Sequence, residues 1–432
     1  MEVAIAGAGY VGLTSAVCLC ELGHRVHLVE VAPDRLTLLR RGESPIFEPG
    51  LPELLRKHHG QGLTVTDSLE EAVTAADVLF VCVGTPPRPS GAPDLHSLRR
   101  LLDTLRRIPL RPGLIVALKS TVPPGTSREA ARLLPEHATV VSNPEFLREG
   151  TAIHDFFHPD RIVIGAASPT AAEQVAALYR GIDAPVLLTG WEEAELIKYA
   201  SNAFLAVKLS FANEVAALAD SLGADGLTVL RGVGLDRRIG PHFLAPGPGY
   251  GGSCLPKDLA ALRWTARRRR VRLDLLPAAQ RANRRQRERV LAKLGPVEGR
   301  QIAVWGLAFQ AGTDDVRESP ALEVIPALLV RGARVTAHDP AARHTFAAAL
   351  AAVSGGLPGR LRLVDDPWDA LHGADALLVL TEWPEYAAAS PEEIRTALAG
   401  DLVVDGRNLF DPEAMAAAGL RYRGIGRDRG TR

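Results

Sequence analysis

The stretch Gly7-Ala8-Gly9-Tyr10-Val11-Gly12 constrains this chain more than any other, because its setting leaves few folds open. It follows a short apolar run, Val3-Ala4-Ile5-Ala6, that reads as a buried strand. It opens an Ala/Leu/Cys-rich segment that reads as a helix to about Leu22, with Gly23 as its stop. Arg25-Val26-His27-Leu28-Val29-Glu30 reads as the next strand, and its acid stands 18 residues beyond Gly12. Glycines alone would be a weak signal; strand, glycine turn, helix and acid together specify a dinucleotide-binding βαβ unit. Gly7 and Gly9 allow the tight turn and the approach of a pyrophosphate to the helix N-terminus, and Gly12 lets helix and strand pack. Glu30 should accept hydrogen bonds from ribose hydroxyls and repel a 2′-phosphate, so NAD is expected over NADP, with Tyr10, Val11 and Arg35 beside it. A tight turn holding no ligand is the plain alternative.

Further apolar runs suit a parallel sheet covered on both faces. Ala76-Asp77-Val78-Leu79-Phe80-Val81-Cys82-Val83 ends at Gly84-Thr85-Pro86, Leu114–Leu118 at Lys119-Ser120-Thr121, and Thr139-Val140-Val141 runs into the segment Ser142–Gly150. Polar groups at such strand ends can meet a ligand, and each can equally cap a turn or a helix. Trp191 to Leu222 reads as one long helix, a form suited to a spine and dimer surface, and Lys198 and Asn202, four apart, share a face of it. Arg263 to Arg289 is densely basic and reads as a solvated helix and linker. From Gln301 a second α/β unit begins, in which Ala374-Asp375-Ala376-Leu377-Leu378-Val379 echoes the run at Ala76. This degenerate repeat lacks the glycine fingerprint, so its loops should hold a different nucleotide, with Arg317 and Arg407 at strand or loop ends. The tail after Gly424 reads as frayed. The expected architecture is α/β, with two Rossmann-like doubly wound domains joined by a long central helix. Its parts are an NAD-binding domain over 1–190, a central helical and dimerisation domain over 191–295, and a second Rossmann-like domain over 296–432.

The chemistry concentrates in Gly247-Pro248-Gly249-Tyr250-Gly251-Gly252-Ser253-Cys254-Leu255-Pro256-Lys257-Asp258. Four glycines in six residues weaken both helix and strand, but they free backbone around one thiol. Lys257 and Asp258 follow within four residues, and a nearby cation favours the nucleophilic thiolate. An inert cysteine in a turn is the alternative. Cys18 and Cys20 in a helix and Cys82 in a strand read as small core residues, and four cysteines make no disulfide framework. Only six lysines are present, and three of them, Lys119, Lys198 and Lys257, fall inside motifs, a hint of ammonium chemistry. Lys+Arg and Asp+Glu both total 50, so no bulk field attracts nucleic acid or an anionic membrane. No apolar run approaches the roughly 20 residues that span a bilayer, and Met1 leads directly into a strand. A cytoplasmic chain without a metal site is expected.

In one order the chain carries GAGYVG, VGTPP followed by GAPDL, STVPPGT, SNPEFLREG, ELIKYASN, DRRIG, PGPGYGGSCLPKD, GTDDVRESPA and DGRN. This series resembles the UDP-glucose/GDP-mannose dehydrogenase family over nearly the whole chain. The resemblance implies oxidation of a nucleotide sugar at C6 from alcohol to carboxylate by two NAD in succession. It matches Cys254 to the nucleophile that forms a thiohemiacetal and then a thioester, and Lys198, with Asn202, to stabilisation of the oxyanion. It also matches Glu145 to an acid/base and Thr121 and Asp258 to the positioning of water. On the cofactor side it implies Gly84, Thr85, Glu149, Lys257 and Arg317. On the substrate side it implies Phe146, Leu147, Arg238, Tyr250, Gly251, Phe309, Gln310 and Arg407. Two departures stand out: Leu255 where phenylalanine is usual, and Gln310 where a lysine usually follows the Ala-Phe pair. UDP-glucose is the expected substrate, with GDP-mannose or a UDP-N-acetylhexosamine as alternatives, and a homodimer or larger homo-oligomer is expected. A nucleotide-sugar-binding protein without turnover is the alternative of a different class.

Overall fold

The computed structural model describes residues 1–356 and 358–428. Among the described residues the strands form two sheets, one of eight strands and one of six. The first contains β1 (Glu2–Ala6), β2 (Arg25–Val29), β3 (Leu63–Thr66), β4 (Val78–Val81), β5 (Ile115–Leu118), β6 (Thr139–Ser142), β7 (Ile162–Ala166) and β8 (Val186–Thr189). Their order is β3-β2-β1-β4-β5-β6-β7-β8. Successive side chains of β1 go to opposite faces: Val3 and Ile5 join one apolar core, Ala4 and Ala6 the other. Continuous apolar runs form these strands because both faces are covered. The pairing is parallel from β3 through β6, but β7 runs antiparallel to β6. A reading that follows apolar runs alone does not register this reversal.

The second sheet contains β9 (Gln301–Trp305), β10 (Arg334–His338), β11 (Leu361–Val364), β12 (Ala376–Val379), β13 (Leu402–Asp405) and β14 (Arg421–Gly424). Its order, β11-β10-β9-β12-β13-β14, repeats that of β3-β2-β1-β4-β5-β6, and every pair is parallel. The echo in the sequence is therefore a repeat of topology: β4 lies beside β1 as β12 lies beside β9. In both sheets the carboxyl ends at the switch point between first and fourth strands open a crevice for a ligand.

The long helix spans Trp191–Leu222. Helices Leu255–Arg268 and Leu275–Leu294 follow it in sequence, after the short helix Gly226–Gly234. Contact clustering divides the chain into Met1–Ser201 with Lys257–Val271, and Asn202–Pro256 with Arg272–Arg432. Two expectations are corrected. The basic stretch is two helices, and in the second of them Asn283, Gln286 and Arg287 are buried, because they bind backbone described below. The tail just after Gly424 is anchored: Ile425 is buried, Arg427 pairs with Asp225, and the Asp428 amide donates to Asp220 at 2.9 Å. The rest of that tail, 429–432, lies outside the described residues. No helix among the described residues is long and apolar enough to cross a membrane.

Candidate active site

The glycine turn after β1 fits a dinucleotide. A Cβ on Gly12 would stand 1.8 Å from the Gly7 carbonyl oxygen, so close helix–strand packing excludes any side chain there. A Cβ on Gly9 would meet nothing within 4 Å. The chain's own packing thus explains Gly12, whereas the space over Gly9 is open to a pyrophosphate at the N-terminus of helix Tyr10–Glu21. Glu30 follows β2; its Oε1 accepts the Val31 and Ala32 amides at 2.8 and 2.9 Å, and its Oε2 faces Arg35 Nε at 3.7 Å. Arg35 also reaches the turn, donating to the Ala8 carbonyl at 2.6 Å. At the next strand edge the Thr85 hydroxyl donates to the Thr121 carbonyl at 3.0 Å, which joins the loops after β4 and β5 beside Gly84.

The loop after β6 carries Glu145, Phe146, Leu147 and Glu149. Glu145 is buried; its Oε1 lies 3.2 Å from Lys198 Nζ and its Oε2 accepts the Leu147 amide at 2.6 Å. Lys198 is buried too, which excludes a solvated helix lysine. A buried ion pair recovers its desolvation cost only with good geometry, so the burial of this one is weak evidence of a stabilising role. The Phe146 ring has the Arg161 guanidinium 3.7 Å and the Lys198 ammonium 5.3 Å from its centroid. Glu48, which sequence reasoning missed, ties the loop to the glycine turn. It accepts from the Tyr10 hydroxyl and from the Gly150 and Ala152 amides, both at 2.7 Å. Burial pushes its carboxyl above the ordinary range. Lys119, by contrast, is a structural tie: buried, it donates to Asn143 Oδ1 at 3.2 Å and to the Tyr179 hydroxyl at 2.9 Å.

Cys254 ends the glycine loop, immediately before helix Leu255–Arg268, whose N-terminal partial charge favours an anionic sulfur. Lys257 and Asp258 stand in that helix's first turn and pair at 2.6 Å. Cys254 alone of the four cysteines is partly exposed. Burial pushes the Cys20 and Cys82 thiols up to about 12 and Cys18 higher still, so these three are poor nucleophiles. Cys82 stands one residue past β4, and its amide still donates to the Ala6 carbonyl at 2.8 Å.

Four buried side chains hold the loop ahead of the thiol. Asn213 Oδ1 accepts the Gly247 amide at 2.8 Å, and Gln286 Nε2 donates to the Gly247 carbonyl at 2.8 Å. Asn283 clasps Tyr250 from both sides, accepting its amide at 2.8 Å and donating to its carbonyl at 2.9 Å. Arg287 donates to the Tyr250 and Glu318 carbonyls at 3.1 and 3.2 Å. The spacing 283, 286, 287 puts these three groups on one helix face.

Downstream, the Gly252 amide donates to the Arg317 carbonyl at 2.9 Å. The Phe309 ring lies where a Gly252 side chain would point, 2.7 Å from its Cβ, and Gly252 has φ 81°. Arg407 donates to the Phe309 carbonyl at 2.8 Å and passes near Gly247. Tyr250, Gly251, Phe309 and Arg407 are therefore neighbours, and Gln310 adjoins Phe309. The Tyr250 hydroxyl is buried without a hydrogen-bond partner and burial pushes it up to about 12, so it stays a donor for a ligand. The Arg317 side chain forks onto Asp315, and Arg238, turned to the surface, forks onto Asp236.

The turn after β9 is bonded to the chain itself. Asp339 follows β10 as Glu30 follows β2, but its Oδ2 accepts the Leu307 and Ala308 amides at 2.7 and 3.0 Å. A carboxylate of the chain already accepts these two amides.

Three family models match in sequence order. They are the NAD binding domain of the UDP-glucose/GDP-mannose dehydrogenase family over 1–183, its central domain over 192–285 and its UDP binding domain over 303–412. A UDP-glucose 6-dehydrogenase of Pseudomonas aeruginosa is 44% identical, the match covering 99% of this chain and 98% of that one. A UDP-glucose dehydrogenase structure from Pyrobaculum islandicum superposes with a TM-score of 0.87 at 41% identity, covering 98% of this chain and 97% of the other. A UDP-D-ManNAc dehydrogenase from Pyrococcus horikoshii gives 0.86 at 29% identity with full coverage of both chains.

Removing the Asn283 clasp should disable the loop before it unfolds the chain. Asn283→Ala leaves the Tyr250 amide without its partner and the carbonyl with Arg287 alone, a cost of about 1–3 kcal/mol. The expected outcome is a modest fall in Tm with a disproportionate change in the alkylation rate of Cys254. An alkylation rate equal to the unaltered protein's would show that the clasp does not set the thiol's surroundings.

Proposed function

The chain belongs to the UDP-glucose/GDP-mannose dehydrogenase family, and from this we propose that it oxidises UDP-glucose at C6 to UDP-glucuronate with two equivalents of NAD. The observation that carries the reading is Cys254: the one partly exposed cysteine, at a helix N-terminus, on a loop held by four buried side chains. A binding protein would not need such a thiol.

Gly7, Gly9, Tyr10, Val11 and Gly12 would hold the cofactor's pyrophosphate and Glu30 and Arg35 its adenosine ribose. Gly84, Thr85, Thr121, Glu149, Lys257 and Arg317 complete the set. NAD, when bound, supplies the hydride acceptor for both oxidations. Glu145 takes the alcohol proton while the Lys198 ammonium and the Asn202 amide stabilise negative charge on the oxygen. The Cys254 thiolate adds to the aldehyde carbon as a thiohemiacetal, so the reactive aldehyde stays bound. The second oxidation leaves a thioester; water held by Asp258 and Thr121 adds to it, the carbon–sulfur bond breaks and the thiol is restored. Phe146, Leu147, Arg238, Tyr250, Gly251, Phe309, Gln310 and Arg407 bind the nucleotide sugar. We assign the three parts 1–190, 191–295 and 296–432 to NAD, to the central helices with the thiol loop, and to the nucleotide sugar.

The long helix exposes Phe204, Phe211 and Leu218, seven residues apart, and Leu222 beside them, while Ala206, Ser210 and Asn213 face inward. A stripe at that spacing suits a second copy of the chain, giving a homodimer. With four cysteines and no disulfide, the cytoplasm is the fitting compartment.

Purified protein should form two NADH per UDP-glucuronate, and Cys254→Ala should release nothing beyond the aldehyde level. Carboxylate made by that variant at the unaltered rate would refute the covalent route. Gln310 replaces an ammonium by a neutral amide, a loss of about 1 kcal/mol of substrate binding, roughly five- to tenfold. Gln310→Lys should therefore lower KM for UDP-glucose several-fold with kcat unchanged. Better use of another nucleotide sugar would instead mark Gln310 as a determinant of a different substrate. Phe211→Glu should yield a monomer by light scattering; an unchanged mass would move the dimer surface elsewhere.

A further inference from the structure

Three residues before Lys198 the long helix carries a carboxylate that the chemistry above does not use. Glu195 is 2% exposed; its Oε2 accepts the Gly125 amide at 2.6 Å and its Oε1 the Ser127 amide at 2.7 Å. Both amides belong to the opening of helix Thr126–Leu133, whose N-cap, Gly125, has φ 101° and offers no side chain. A carboxylate from a distant element therefore performs the capping that the local sequence lacks. The loop so capped carries Thr121, and its other end is fastened separately. The Ser120 hydroxyl donates to the Val81 and Val83 carbonyls at 3.1 and 2.7 Å, and Thr85 holds the Thr121 carbonyl.

We propose that Glu195 is a positioning residue that registers the Thr121 loop against the helical turn presenting Lys198, and that it does so only as a carboxylate. The proposal rests on the oxidation above for the roles of Thr121 and Lys198. As an anion Glu195 offers both oxygens to the two amides. Protonated, it turns a hydroxyl toward one N–H and loses that bond. Burial pushes its carboxyl up to about 7, against the pull of Ser127, side chain and amide, and of the Gly125 amide. Glu192 on the same helix adds to the rise, and Arg128 from the capped helix opposes it while forking onto Glu192 at 2.6 and 3.0 Å. Tyr199, buried, faces both Glu195 and Asp258, and its hydroxyl is pushed up by burial, so it stays neutral. The grip forms as pH rises through about 7. Stability runs the other way: a carboxyl held above its ordinary value of 4.5 contributes fully below that pH, and the contribution is lost as pH rises to about 7.

The test compares unaltered protein with Glu195→Gln and with the surface variant Glu192→Gln, following kcat for NADH formation across the neutral range. The unaltered enzyme should lose activity on the acid side with a midpoint near 7. Glu195→Gln should lack that limb and run about three- to tenfold slower at alkaline pH, the effect of trading charge-assisted bonds for neutral ones. Glu192→Gln should keep the limb but move it a few tenths of a pH unit lower, and it decides the matter if Glu195→Gln does not fold. A Glu195→Gln profile superimposable on the unaltered one, or a limb unmoved in Glu192→Gln, overturns the proposal. Tm needs no substrate: the Tm of the unaltered protein minus that of Glu195→Gln should fall from about pH 5 to about pH 8. If no nucleotide sugar yields NADH, the oxidation fails as a reading while the Tm difference still reports the titration of Glu195. A Tm difference constant across that window overturns its titration there.

Discussion

A buried backbone that belongs to no helix or strand must find partners for every amide and carbonyl, and the thiol loop is such a backbone. Gly247 and Tyr250 solve the problem with side chains: Asn213 from the long helix, and Asn283, Gln286 and Arg287 from the helix Leu275–Leu294. Each bond is worth only about 0.5–1.5 kcal/mol net, but a buried backbone group left without its partner costs about 1–3 kcal/mol. The bonds also fix the course of the backbone that leads to Cys254. The glycines follow from the same constraint, since Gly252 lies under the Phe309 ring.

The parts of the fold legible in the sequence are those with a period or a repeat. The glycine turn, the apolar strands and the helix Trp191–Leu222 could be read directly, and so could the echo between the runs at Ala76 and Ala374. The reversal of β7 could not, because a buried strand looks the same in either direction. Nor could the clasp on the thiol loop: arginine dominates the stretch around it, and only tertiary packing separates buried Arg287 from its exposed neighbours. Glu48 and Glu195 were hidden for a related reason. Their partners are backbone amides 102 and 104 residues away for Glu48, and 70 and 68 for Glu195, and an amide leaves no trace in residue identity.

The lysines show how partners divide chemistry from structure. Lys119 and Lys198 are both buried and both lie in motifs. Lys119 is tied to an amide oxygen and a phenol, neutral groups that fix the sheet edge. Lys198 faces the carboxylate of Glu145, a pair whose charges a transition state can draw on. Sequence position suggested ammonium chemistry for both; their partners differ, neutral for Lys119 and charged for Lys198.

Asp339 gives the second sheet a consequence of its own. Tethered beside the Leu307 and Ala308 amides, its carboxylate is an intramolecular competitor for any anion that would use them. The duplicated topology thus carries a built-in antagonist in one copy. The duplicated strand order therefore does not duplicate the binding turn: in the second copy two of the turn's amides are already bonded to the chain itself.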